Sequence, residues 1–254
     1  MEQTIIQMLN HIEKEHDVKI ILASESGSRA WGFPSSDSDY DVRFIYAHQT
    51  DWYLSIGNKK DVIELPVDKV LDVNGWDLKK ALQLMRKSNS PLLEWLGSPI
   101  KYKILPDAHE KLLSLSKQAF MPETACWHYL SMARKSFEGL TKDGKARLKP
   151  YLYTLRALLC CEWIIRHLSQ PPMRICDVMT GLEIDNNIIE EINHLIQMKK
   201  MHSEKYKMGK SNILHNYITG RIDRLHHQIP KNPQKLELKM FDGVFRNILS
   251  EINA

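Results

Sequence analysis

Two aspartates, Asp39 and Asp41, stand twelve positions after the pair Gly27-Ser28, in the segment Gly27-Ser28-Arg29-Ala30-Trp31-Gly32-Phe33-Pro34-Ser35-Ser36-Asp37-Ser38-Asp39-Tyr40-Asp41-Val42. An apolar run, Ile20 to Ala23, precedes it, and a second, Val42 to Tyr46, follows. The pattern predicts a strand, a Gly-Ser turn, a short helix or loop, and then a strand whose opening carries both aspartates. Strand residues two apart face the same way, with α-carbons roughly 6.5–7 Å apart. Two carboxylates held like this repel each other and lose hydration, so a cation, in the first place Mg2+, is expected to compensate.

Three chemistries compete for this pair. Ser35, Ser36, Asp37 and Ser38 are turn formers, and a solvated acidic turn over residues 34 to 38 accounts for Asp37. It does not account for Asp39 and Asp41, which flank an aromatic and lead into an apolar strand. A calcium loop would use the spacing of Asp37, Asp39 and Asp41. It needs Gly at its sixth position and Glu at its twelfth, where this chain has Val42 and His48. The third chemistry is two-metal phosphoryl transfer, in which an Asp-x-Asp pair bridges ions that clamp the attacking and leaving oxygens. Here the Gly-Ser turn has a matching task. Gly27 lets backbone approach a phosphate, and Ser28 offers a hydroxyl and an N–H at a helix start. In this order, between two strand-like runs, the two short motifs reinforce each other.

Gly-Ser followed about ten residues later by Asp-x-Asp resembles the signature of the DNA polymerase beta-like nucleotidyltransferase superfamily. The longer strings Gly-Ser-Arg-Ala-Trp-Gly and Ser-Asp-Tyr-Asp-Val-Arg are similar to one branch of it, the bacterial and phage RNA-repair-pathway polymerase beta family. The likeness continues through Asp72 to Lys80, Lys87 to Pro91 and Leu93 to Leu96, with a weaker echo from Lys149 to Arg156. It implies two Mg2+ ions, or Mn2+ in their place, with a nucleoside triphosphate such as ATP as substrate. It also implies a third acid on a strand beside the Asp-x-Asp strand. Glu64 and Asp72 are the candidates. Asp72 lies between Leu71 and Val73, which would anchor it from the opposite face, and is the choice taken here. Asp39, Asp41 and Asp72 are thus the expected catalytic and metal-holding residues, with Gly27 and Ser28 beside the triphosphate. Arg29, Lys149 and Arg156 are the further nucleotide-binding candidates. Lys149 and Arg156 are seven apart, on one helix face. For Arg156, set among apolar residues, a structural salt bridge competes with a phosphate contact.

The elements that must position these residues divide by pattern. Ile5, Ile6, Leu9 and Ile12 mark an amphipathic helix over residues 2–16. Strands are expected over 18–23, 41–47, 61–66 and 69–73, the last ending in an Asn74-Gly75 turn. A helix from an Asp77 cap to Asn89, a short helix over 91–96 and a strand from Tyr102 to Leu105 follow. Beyond residue 107 only helical stripes remain: Leu152, Leu155, Leu159 and Trp163; Ile188, Ile192 and Leu195; Leu214, Tyr217, Ile222 and Leu225. The expected fold is α+β. A small mixed-sheet nucleotidyltransferase domain (1–106) is followed by an all-α helical-bundle domain (107–254).

With 43% hydrophobic and 26% charged residues the 254-residue chain is ordinary globular material. No apolar stretch is long enough to span a membrane, and Met1-Glu2-Gln3 opens no signal-peptide pattern, so the cytoplasm is the expected compartment. Cys126, Cys160, Cys161 and Cys176 form no Cys-x-x-Cys or zinc spacing and read as reduced core thiols. Through residue 116 there are 14 Lys and Arg against 17 Asp and Glu; from 117 onward there are 21 against 14. An acidic half carrying a metal site joined to a basic half suits a polyanionic partner, with RNA the one implied by the resemblance. Lys199, Lys200, Lys205, Lys207 and Lys210 form a basic run, either a solvated face or a hold on an RNA backbone. The acceptor hydroxyl could also belong to a protein or small molecule, and a non-catalytic nucleotide- or RNA-binding module is a further alternative. Oligomeric state has no signature in the sequence.

Overall fold

The computed structural model describes residues 1–66, 70–141, 146–203, 206–208 and 211–253. In chain order the elements begin with α1 (Glu2–His16), β1 (Val18–Glu25), α2 (Gly27–Ala30), β2 (Tyr40–His48) and α3 (Thr50–Tyr53). Next come β3 (Val62–Glu64), β4 (Leu71–Asp77), α4 (Leu78–Met85), α5 (Ser90–Gly97), β5 (Lys101–Ile104) and α6 (Pro106–Gln118). They continue with α7 (Pro122–Glu138), β6 (Ala146–Arg147), α8 (Leu148–His167), α9 (Ile175–Thr180), α10 (Asn186–Met201), β7 (Lys207–Met208), α11 (Asn212–His226) and α12 (Leu238–Ile252).

The chain forms two compact units. Met1–Gly27, Asp39–Phe120 and Gln234–Ala254 make the first, and Ser28–Ser38 with Met121–Pro233 make the second. This differs from a single division after residue 106. α6 buries Ala108, Leu112 and Leu115 and packs on β1 and α5 of the sheet unit. α12 returns from the far end of the chain to pack on α4 and α6. Residues 28–38 go to the helical unit because Trp31 and Phe33 pack on Tyr153 of α8.

The first unit is an α+β fold around a five-stranded mixed sheet in the order β3-β4-β2-β1-β5, in which only β2 and β4 run parallel. β1 is buried almost throughout, as its apolar run requires, and Ile5, Leu9 and Ile12 of α1 join Ile20, Phe44 and Tyr46 in the core. Each such buried aliphatic side chain contributes about 1.5–3 kcal/mol. The Asn74-Gly75 turn does not form. β4 runs through it to Asp77, pairing Arg43 with Asn74 and Phe44 with Gly75. The glycine serves a close approach instead: a Cβ there would stand 2.1 Å from the Phe44 ring. Asp77 does cap α4, its Oδ1 accepting the Lys79 N–H at 2.8 Å.

The second unit is helical, with α8 at its centre burying Leu152, Leu155 and Leu159. α10 contributes Ile188, Ile192 and Leu195, and α11 Leu214, Ile218 and Leu225. It is not wholly α, since β6 and β7 pair as a two-residue ladder. Cys126, Cys160 and Cys161 are buried free thiols as expected, whereas Cys176 is exposed. Among the described residues no helix is long and apolar enough to cross a membrane.

Candidate active site

The parallel register of β2 and β4 sets Asp41 directly beside Asp72, on strands about 4.8 Å apart. Both carboxylates are about one-third exposed. Arg43, two residues along β2 and therefore on the Asp41 face, lies between them. Its Nη2 donates to Asp72 Oδ2 at 2.6 Å and to Asp41 Oδ1 at 3.4 Å. Its Nη1 donates to the Val42 and Asp72 carbonyls, each at 3.1 Å. A guanidinium thus offsets the repulsion of two neighbouring half-buried carboxylates.

Asp41 is gripped from β1 as well. The Ser26 N–H donates to the Asp41 carbonyl at 2.8 Å. The Asp41 N–H donates to Oε1 of Glu25 at 2.9 Å, and the Tyr102 hydroxyl donates to Oε2 of the same carboxylate. Glu25 is completely buried. Gly27 follows at φ +60°, and a Cβ on it would stand 2.1 Å from Asp41 Oδ2. The first unit therefore joins the Gly27 end of the turn to the second aspartate.

Asp39 is exposed and lies one residue before β2. Glu64, the other candidate for the third acid, is exposed on β3, separated from β2 by β4. Among the described residues no three acidic, histidine or cysteine side chains converge closely enough to hold a metal ion. What the structure does assemble is a pair of hard oxygen donors, Asp41 and Asp72, of the chemistry that Mg2+ prefers. Arg43 occupies one oxygen of each.

The remaining candidates lie in the helical unit. Ser28 is buried and donates to the Ser38 hydroxyl at 3.2 Å, while Arg29 Nη2 donates to the Ser38 carbonyl at 2.7 Å. Trp31 meets Tyr153 edge-on at 5.0 Å. Arg156 is 1% exposed. Its guanidinium lies 4.3 Å over the Trp31 ring and donates to the Met173 carbonyl from Nε at 3.3 Å and Nη2 at 3.2 Å. Lys149 Nζ lies 5.7 Å from the Tyr153 ring. The two cations do share a face of α8, and there they flank aromatic rings. Lys199 is also buried, over Phe33 and Tyr153, so it is not part of a solvated face; Lys200 is exposed. Lys205 and Lys210 lie outside the described residues, as does the Lys207 side chain.

Arg43 and Glu25 are the site residues that sequence reasoning missed. Arg43 has a readable signal, an arginine two positions after Asp41 on a strand. Glu25 has a weaker one, an acid between an apolar strand and the Gly-Ser turn.

Residues 1–247 match the RNA repair pathway DNA polymerase beta family. The chain belongs to that family. It is 43% identical over 225 residues to the uncharacterized protein YcgL of Bacillus subtilis (strain 168), covering 89% of this chain and 86% of that one. A crystal structure of a nucleotidyltransferase-like protein from Exiguobacterium sibiricum 255-15 aligns over 97% of this chain and 80% of its own, at 11% identity and a TM-score of 0.30. Family membership makes this a polymerase beta-like nucleotidyltransferase.

Proposed function

We propose that the chain transfers a nucleoside monophosphate from a nucleoside triphosphate to an acceptor hydroxyl, with an RNA end as the acceptor. The observation that carries this reading is the pairing of Asp41 with Asp72 across β2 and β4, with Gly27 against the Asp41 carboxylate. Asp39, Asp41 and Asp72 would hold Mg2+, which when bound lowers the pKa of the hydroxyl and neutralises phosphate charge. The hydroxyl oxygen bonds to the α-phosphorus, the bond to the bridging oxygen breaks, and pyrophosphate leaves. Asp72 accepts the hydroxyl proton. Gly27, lacking a side chain, lets the Asp41 carboxylate lie against its backbone. Glu25 and Arg43 position the acids. Lys149 and Arg156, engaged with Tyr153 and Trp31, take no part in this reading.

Incubating the full chain with each α-labelled triphosphate, Mg2+ and total cellular RNA or protein tests it. Label in RNA, lost in Asp41→Asn and Asp72→Asn variants that melt like the wild type, is the expected result. Label in protein or a small acceptor would replace the acceptor. No label from any triphosphate would leave a nucleotide-binding module and refute transfer.

A further inference from the structure

Between α4 and α12 of the sheet unit lies a cavity of about 750 Å³, within the range of small-molecule sites. None of its lining residues belongs to the Gly27, Asp39, Asp41 and Asp72 set. Four cations line it, Lys79 from α4, Arg86 and Lys87 just past the C-terminal end of α4, and Lys235 from the segment before α12. Among the described residues none of the four is in an ion pair, and Asp242 is the one acid on the lining. The apolar lining is Leu82, Leu238, Phe241 and Phe245, the last braced edge-on by Tyr53 at 5.0 Å.

We propose that this cavity binds a phosphorylated aromatic ligand, a nucleotide, with the ring on the Phe245 side and the phosphates among the four cations. Charge and shape both select that chemistry. An excess of three positive charges around an apolar recess is stabilised by a ligand with an anionic end and a ring-shaped body. Arg86 offers a planar fork that matches phosphate oxygens. Lys79 in the first turn of α4 and Arg86 at its C-terminal cap are seven residues apart, roughly 10 Å along the axis, a span that suits several phosphates better than one carboxylate. A second cavity of about 270 Å³ shares Lys79 and Gln83 with the first, so a ligand longer than one nucleotide has somewhere to run.

The ligand could be a free nucleotide or a nucleotide unit of a single strand, and one experiment separates them. The full chain carrying Asp41→Asn and Asp72→Asn is titrated in EDTA at low salt, so the reading follows this cavity whether or not the acid pair transfers nucleotides. The probes are ATP, by calorimetry, and a fluorescein-labelled single-stranded oligonucleotide, by anisotropy. Binding of ATP identifies the free nucleotide, and binding of the oligonucleotide alone identifies the strand. In either case R86E/K87E should weaken binding at least tenfold, and for the oligonucleotide it should reduce the dependence of log K on log salt by about two charges. Phe245→Leu should weaken binding of the nucleotide probe severalfold while leaving heparin binding unchanged. The proposal is overturned if neither probe binds, if R86E/K87E binds as the wild type does, or if polyglutamate displaces the probe as well as unlabelled oligonucleotide does.

Discussion

The α-carbon of Gly27 lies against the carboxylate of Asp41, so closely that a single added methyl group would stand 2.1 Å from Oδ2. The backbone at Gly27 is also left-handed, at φ +60°. Gly27→Ala therefore meets two penalties, a strained backbone worth about 1–3 kcal/mol and displacement of the Asp41 side chain. Nucleotidyl transfer should fall at least a hundredfold and the melting temperature by several degrees. Gly243→Ala, within α12 and with nothing within 4 Å of an added Cβ, is the control: it should leave transfer unchanged and melt no lower than the wild type. Wild-type transfer by Gly27→Ala would show that Asp41 is free to move without loss.

Arg43 links the two acids in the same way from the other side. Removing its charge with Arg43→Gln leaves Asp41 and Asp72 facing each other half-buried. Stability at neutral pH should drop by about 1–2 kcal/mol. The Arg43→Gln/Asp72→Asn double variant should recover much of the loss, because the repulsion is then gone. A double-mutant cycle by urea denaturation reads the coupling. Additive losses would mean that Arg43 does not act through the acids.

Glu25 holds the Asp41 backbone through its N–H while taking the Tyr102 hydroxyl on its other oxygen. Glu25→Gln keeps one carbonyl oxygen for the Asp41 N–H and should retain most activity. Glu25→Ala leaves that N–H unsatisfied and opens a void, so transfer should fall by a larger factor than in Glu25→Gln. A role confined to stability predicts equal kcat values for the folded fractions of both variants. A positioning role predicts a lower kcat in the alanine variant alone.

The sheet and α1 were legible because their apolar runs are long and periodic, and the mixed sheet followed by helices follows from where those runs stop. Asn74-Gly75 misled because the same dipeptide that favours a turn also leaves room for the Phe44 ring, and only strand register distinguishes the two uses. Register is also what joins Asp72 to Asp41 and brings Arg43 between them; nothing in the spacing of residues 41 and 72 carries that. The burial of Lys199 and the aromatic partner of Arg156 were not legible because both holds are on aromatic faces distant in sequence, Trp31 for Arg156 and Phe33 with Tyr153 for Lys199. Where α6 and α12 pack was equally hidden, since an amphipathic stripe states that a face is buried but not against what.

Arg156 and Trp31 give a test of that last kind of contact. The guanidinium sits 4.3 Å over the indole while donating to the Met173 carbonyl. Arg156→Lys keeps the charge but loses the planar surface and the paired donors, and should destabilise the protein by about 1–2 kcal/mol. Trp31→Leu should cost less in the Arg156→Lys background than in the wild type, because part of its effect has already been lost. Equal costs in both backgrounds would show that the stacking contributes nothing.

Acid should weaken the sheet unit through two buried histidines. Burial holds the pKa of His48, stacked on Trp52 at 3.8 Å, below its ordinary value, and does the same for His109, which faces the Leu96 carbonyl. Above pH about 6.5 both states leave these rings neutral and the shift has no effect. As pH falls below that value the unfolded chain takes up protons that the folded chain resists, so stability declines toward pH 5. Asp77 acts with the opposite slope at lower pH: burial raises its pKa, so the folded state binds that proton more readily and stability rises as pH falls toward 4. His48→Phe should keep the stack on Trp52 while removing its share of the decline between pH 7 and 5. Urea midpoints at pH 7.5, 6.0 and 5.0 for wild type and variant measure it. Parallel curves would show that His48 titrates alike in the folded and unfolded chain.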